Sequence, residues 1–230
     1  MPHNFADVSR ARRALVASLA LIAAACTKDS PTAVQAGNSL RIAGSYMKAG
    51  IVGQQVGGPM VVEIRNANGN AVAGQAVAFS VRGNGGTVNA TSITDENGRA
   101  WALWTLGTVA GVDTLVATSG GQSVTFVAEA QAGSLAQFQM VAGDQQAVSA
   151  GSEAALVVRA MDAYGNPVSG AVLSWIDQSG GAIVFSSAVT DASGLARASL
   201  LTDADQGVQY LVSVQSADGS VSITFTVNGQ

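Results

Sequence analysis

A nine-residue stretch that recurs 96 positions later limits what this chain can fold into. Asn66-Ala67-Asn68-Gly69-Asn70-Ala71-Val72-Ala73-Gly74 returns as Asp162-Ala163-Tyr164-Gly165-Asn166-Pro167-Val168-Ser169-Gly170. The same offset carries Val77 onto Leu173, Phe79 onto Trp175, Thr94-Asp95 onto Thr190-Asp191, Gly98 onto Gly194 and Ala100 onto Ala196. A register held this long makes the chain a tandem repeat. Each copy of the nine residues reads as a turn, in which Gly supplies positive φ and Asn tolerates it. Pro167 fixes its own φ, and Val72 or Val168 tucks under as the strand resumes.

From Leu40 onward apolar residues recur at period two, and no stretch of eleven residues shows helical spacing. Val77, Phe79 and Val81 alternate with Ala78, Ser80 and Arg82, which gives one face to a core and one to water. The spacing predicts a loop at 83–86, a short strand over Val88 to Thr94, a tight turn at Asp95-Glu96-Asn97-Gly98 and a strand over Arg99 to Leu106. Val112 to Thr118 and Gln122 to Ala130 then form a hairpin across Gly120-Gly121. The second repeat follows the same order with three extra residues, placed most simply in its last hairpin at Ser216 to Gly219. About seven short strands per repeat argue for an all-β fold, an antiparallel β-sandwich built twice. The sandwiches span 39–132 and 133–230 and meet at a linker, Gln131 to Ser134. Each is expected to fold alone, with proteases cutting first at the linker.

Residues 1–25 are set apart from that fold. Arg10, Arg12 and Arg13 precede the apolar run Ala14 to Ala25, which has the form of an export signal and is too short for the about 20 residues that span a bilayer. The only cysteine of the chain, Cys26, follows directly. This stretch resembles a bacterial lipoprotein signal, with Ala24, Ala25 and Cys26 at the matching positions. It departs from that family at Ala23, where Leu is usual. The resemblance implies that the Cys26 thiol is acylated and that Thr27, in place of Asp, directs the protein to an outer membrane. Ala23-Ala24-Ala25 also fits ordinary cleavage, which would release a soluble protein, so both processings are open. Residues 26–38 then form a lipidated N-terminus and a flexible tether of about 40 Å at roughly 3.3 Å per residue.

Inside the repeats, "NANGNAVAGQAVAFS" followed by "SITDENGRAWALWTL", and "DAYGNPVSGAVLSW" followed by "VTDASGLARASL", resemble the group 1 bacterial immunoglobulin-like domains of invasin- and intimin-type surface proteins. The likeness runs from 40 to 229. Copy one departs from it with Ala71 for Pro and Asn66 for Asp, which weakens that turn without moving it. The resemblance implies two tandem immunoglobulin-like antiparallel β-sandwiches displayed at a cell surface, with a stacking or spacing role and no catalytic residue or cofactor. Asn66, Gly69, Asn70 and Gly74 in copy one, and Asp162, Gly165, Asn166, Pro167 and Gly170 in copy two, are its repeat-turn residues.

The residues give the same answer by themselves. His3 is the only histidine and leaves with the signal, so no Ser-His-Asp or Cys-His set and no zinc set remain. Asp203 and Asp205 offer Ca²⁺ two carboxylates where about six oxygens are wanted. Gly83-x-Gly85-Gly86 precedes no helix and is no phosphate loop, and Asn89-Ala90-Thr91 reads as strand residues. Nucleic acid is excluded as a partner by a net charge of −4 and the lack of any Lys/Arg cluster beyond residue 13. From Cys26 onward eight Lys/Arg face fourteen Asp/Glu, a net of −6. Residues 135–230 hold two bases and eight acids, so the excess belongs to the second repeat.

Trp101 and Trp104 lie three positions apart on a strand and so face opposite ways. The family pattern turns Trp104 inward and Trp101 outward, where it can meet a protein partner or stack on a sugar. Trp175, aligned with Phe79, is expected in the core. Three classes follow: a lipid-anchored spacer or adhesion module, a subunit of an assembly built through sandwich edges, and a carbohydrate-binding accessory protein.

Overall fold

The structure, a computed structural model, describes residues 37–230; the signal, Cys26 and most of the tether lie outside the described residues. Every regular element among them is a strand. Repeat one holds β1 (Ser39–Ile42), β2 (Ala49–Ile51), β3 (Met60–Arg65), β4 (Ala76–Arg82), β5 (Gly86–Val88), β6 (Thr91–Ile93), β7 (Arg99–Ala102), β8 (Trp104–Leu106), β9 (Gly111–Ser119) and β10 (Gln122–Gln131). Repeat two holds β11 (Gln137–Ala142), β12 (Gln146–Val148), β13 (Glu153–Met161), β14 (Leu173–Asp177), β15 (Ala182–Ser186), β16 (Leu195–Leu201), β17 (Gln209–Ser216) and β18 (Ser222–Gly229).

In repeat one a three-stranded sheet, β1-β3-β7, and a five-stranded sheet, β2-β10-β9-β4-β6, share a core that includes Met60, Ile64, Val77, Phe79, Leu115 and Phe126. Strand β4 shows the origin of the arrangement. Its Val77 and Phe79 are buried and its Ala78, Ser80 and Arg82 exposed, so one face is apolar and the other wet. Tyr46 closes the core edge-on against Phe126, with ring centroids 5.0 Å apart. Repeat two pairs β11-β13-β16-β15 with β12-β18-β17-β14 around a second, separate core. The Gly120-Gly121 turn has φ of 54° and 81°, the left-handed pair that a two-residue hairpin needs.

Several expected boundaries move. The single strand over Arg99 to Leu106 is two, β7 and β8, because the Asn89 side chain takes the Leu103 N–H where a backbone partner would continue the ladder. Residues 88–94 likewise divide, β5 pairing with β8 and β6 with β4. The three extra residues of repeat two are also divided. Leu115 pairs with Phe126 and Val212 with Phe225, so the offset is 97 at Val212 and 99 at Phe225. One insertion therefore precedes β17 and two lie in the last hairpin.

Trp175 is half-buried rather than a full core residue. Its strand, β14, ends its sheet and is flanked on its outer side only by the isolated Val172–Val189 bridge and the bond from the Leu173 N–H to the Ala188 carbonyl, whereas the Phe79 strand lies between β9 and β6. Trp175 stacks on Phe225 at 5.9 Å and its Nε1 donates to the Ser187 carbonyl at 3.1 Å.

Candidate functional site

The two copies of the repeated turn are built alike and used differently. In copy one, Asn66 Oδ1 accepts the N–H groups of Asn68 and Asn70, both at 3.0 Å, and Gly69 follows at φ 81°. In copy two, Asp162 Oδ1 accepts the N–H groups of Tyr164 and Asn166 at 2.9 and 2.8 Å. These are side-chain-closed turns. Neither Asn70 nor Asn166 takes a positive φ, contrary to expectation; Gln145 is the only described residue other than Gly that does. Asn166 is there for its amide.

That amide crosses to the first repeat. Asn166 Oδ1 accepts the Ala110 N–H at 2.8 Å, and Asn166 Nδ2 donates to the Thr108 carbonyl at 2.9 Å and to Asp162 Oδ2 at 2.9 Å. Asp162 Oδ2 also accepts the Gly133 N–H of the linker at 2.9 Å. Tyr164 reaches across as well: a Cβ added at Gly53 would meet its hydroxyl at 2.7 Å. Asn166 and Tyr164 thus reach from repeat two to repeat one, while Asp162 ties the turn to the linker between them. Asp162 is 1% exposed and Asn166 7%, whereas Asn70 is exposed. Burial pushes the Asp162 carboxyl up, but hydrogen bonds from the Asn166 side chain and the Gly133, Asn166 and Tyr164 amides outweigh it and hold the group below the usual carboxylate range.

One residue that sequence patterning did not single out, Asp113, supports this joint. Asp113 is fully buried and accepts the Gly107 N–H at 2.9 Å and the Asn84 N–H at 3.2 Å, fixing the loop that presents Thr108 and Ala110. In repeat two the Tyr210 hydroxyl takes that place and accepts the Asp203 N–H at 2.9 Å. Behind each turn stands a buried threonine: Thr94 Oγ1 donates to the Val72 carbonyl and accepts the Gln75 N–H, and Thr190 does the same with Val168 and Ala171. The repeated Thr-Asp pair was the available signal for it.

The other candidates lie apart from the joint. Trp101 is 52% exposed on β7, beside Thr87, Val88, Asn89 and Leu103. The Asn89 amide is bonded there, Oδ1 to the Leu103 N–H at 2.7 Å and Nδ2 to the Trp101 carbonyl at 3.5 Å. The Thr87 hydroxyl, the Trp101 indole N–H and the second Nδ2 proton of Asn89 are the polar groups that can meet a sugar. Asp203 and Asp205 are exposed on the loop before β17, and among the described residues no three His, Cys, Asp or Glu groups converge. Cys26 lies outside the described residues.

No family model matches the chain, and no curated relative does. Among solved structures it is similar to FdeC, an adhesin of Escherichia coli, at 18% identity and a TM-score of 0.51, over 86% of this chain and 66% of that one. InvD of Yersinia pseudotuberculosis aligns at 22% identity and a TM-score of 0.49, over 83% of this chain and 56% of that one. Invasin, a bacterial integrin-binding protein, aligns at 24% and 0.41, over 83% and 39%. The chain thus spans less than two thirds of the length of each. Likeness at these identities is likeness of fold, and the described residues carry the immunoglobulin-like β-sandwich fold that the FdeC adhesin shares.

Proposed function

We propose that this chain is a non-enzymatic, lipid-anchored cell-surface protein whose two sandwiches act together as a spacer or adhesion module. The observation that carries the reading is the joint, because Asn166 and Tyr164 reach from the second sandwich to the first and Asp162 holds the linker between them. A chain meant only to fill an anchor would need no such coupling; one that must present a distal surface at a set distance does. The fold shared with the adhesin FdeC supports the reading. The acidic second repeat then meets its partner through surface complementarity, and contact with a basic partner weakens as salt rises.

Deleting residues 135–230 from cells that export the protein should abolish their attachment to host-cell and coated-glass surfaces while the remainder stays folded and membrane-bound. Attachment that survives the deletion would remove the second repeat from the contact. Turnover of a glycan or peptide by purified protein would end the non-enzymatic reading. The anchor is tested separately. Cys26→Ser should shift the protein out of the processed membrane fraction, and an unacylated N-terminal peptide from native material, seen by mass spectrometry, would show that ordinary cleavage operates instead.

A further inference from the structure

The edges of the two sandwiches differ in a way that the repeat does not require. On the β7–β8 edge of repeat one, Ser92 Oγ accepts the Trp101 N–H at 3.4 Å, and Asn89 takes the Leu103 N–H and the Trp101 carbonyl. Asn89 of the β5–β6 connection and Ser92 of β6 thereby close that edge with side chains. The residue 96 positions after Asn89 is Phe185, and there the backbone takes over: Phe185 pairs with Ser199, so that β15 itself runs along β16 and becomes the new edge.

Strand β15 pairs only with β16 and ends its sheet. The nearest side-chain bonds, Ser187 Oγ from the Arg197 N–H and Trp175 Nε1 to the Ser187 carbonyl, fall just beyond it. A bulge between Ile183 and Phe185 breaks the alternation, and Val184 and Phe185 are both turned out, at 51% and 59% exposure. Protein edges are ordinarily blunted with Lys or Pro, because unpaired N–H and C=O groups template another strand. This one reads Ala-Ile-Val-Phe-Ser, and no charged residue occurs from Gln178 through Thr190.

We infer that β15 docks onto β15 of a second copy, the two strands pairing antiparallel about a two-fold axis. An antiparallel edge is complementary to itself, since each free N–H of one strand finds a C=O of the other. Charge selects the same occupant. Two second repeats, each with two bases against eight acids, repel over most of their surfaces. The uncharged window is where they can approach without opposing carboxylates. A charged peptide partner would call for a complementary charge on the edge, and none is present. The bulge keeps the flat run to a few residues, which places the contact in the weak, reversible class.

Sedimentation of the mature chain from Thr27 should show a concentration-dependent dimer below about 1 mM, and the amides of 182–186 should gain protection from hydrogen exchange as concentration rises. Val184→Lys sits at an exposed position, so the unfolding midpoint should hold while dimerisation weakens at least about tenfold, because the two-fold contact meets the substitution twice. Trp101→Lys should leave it unchanged. A wild-type chain that stays monomeric to about 1 mM, a Val184→Lys chain that associates as before, or protection that grows on another strand overturns the assignment. Failure here leaves the spacer reading standing, since that reading rests on the joint and on attachment by whole cells.

Discussion

Trp104→Ala should lower the stability of the first sandwich by about 3–5 kcal/mol, the largest loss of any tryptophan substitution in this chain. Trp104 is fully buried, and its Nε1 has no hydrogen-bond partner among the described residues. The loss is therefore one of packing and cavity alone. Trp104→Phe should recover more than half of it, because the ring volume is largely kept and the orphaned N–H, which costs roughly 1–3 kcal/mol, is gone. Trp101→Ala should move the midpoint by no more than about 0.5 kcal/mol, as surface changes do. Trp175→Ala should fall between the two, since it removes both the stack on Phe225 and the bond to Ser187. Urea unfolding followed by far-ultraviolet circular dichroism checks the order. If Trp101 proved costlier than Trp104, the strand would face the other way.

The contrast between Trp101 and Trp104 was legible in the sequence, because period two sets them on opposite faces and the resemblance to the immunoglobulin-like domains turns Ala100, Ala102 and Trp104 inward. The repeat offset likewise located the turns, the Thr-Asp pairs and the two cores. What it could not give depends on neighbours in space. Trp175 is the aligned equivalent of Phe79, yet one strand has partners on both sides and the other ends its sheet, a difference that no local pattern carries. The break at Leu103 depends on Asn89, fourteen residues earlier, reaching a backbone N–H.

The joint was hidden for a related reason. The repeat marks Asp162 and Asn166 only as turn formers, and in that role Asn66 and Asn70 are adequate substitutes. The Asp at the first position and the burial of the second Asn become meaningful only when the linker and the Thr108–Ala110 loop lie beside them. The difference between the copies is thus physical: among the described residues the Asn66 side chain bonds only within its own turn.

Asp162→Asn should therefore release the linker while sparing the turn. An asparagine at 162 keeps Oδ1 for the Tyr164 and Asn166 amides, as Asn66 does, but turns an NH₂ toward the Gly133 N–H and the Asn166 Nδ2, setting donors against donors. Two hydrogen bonds to a charged group are lost, each of about 1.5–3 kcal/mol, so local opening at Gln131 to Ser134 should cost about 3 kcal/mol less. Where cleavage follows the open population, that is roughly a hundredfold faster proteolysis at the linker. Asn66→Ala, which breaks only the first turn, should leave linker cleavage unchanged. Acid should imitate the substitution. The folded-state pKa of Asp162 lies below its unfolded value, so its contribution is complete above the ordinary carboxylate range and disappears as pH falls through the depressed value. The protection of the Gly133 amide, its exchange corrected for the intrinsic rate at each pH, should therefore fall on acidification in the wild type and stay flat in Asp162→Asn. Equal cleavage rates for the two proteins at neutral pH would mean that the sandwiches are held together by something other than this turn.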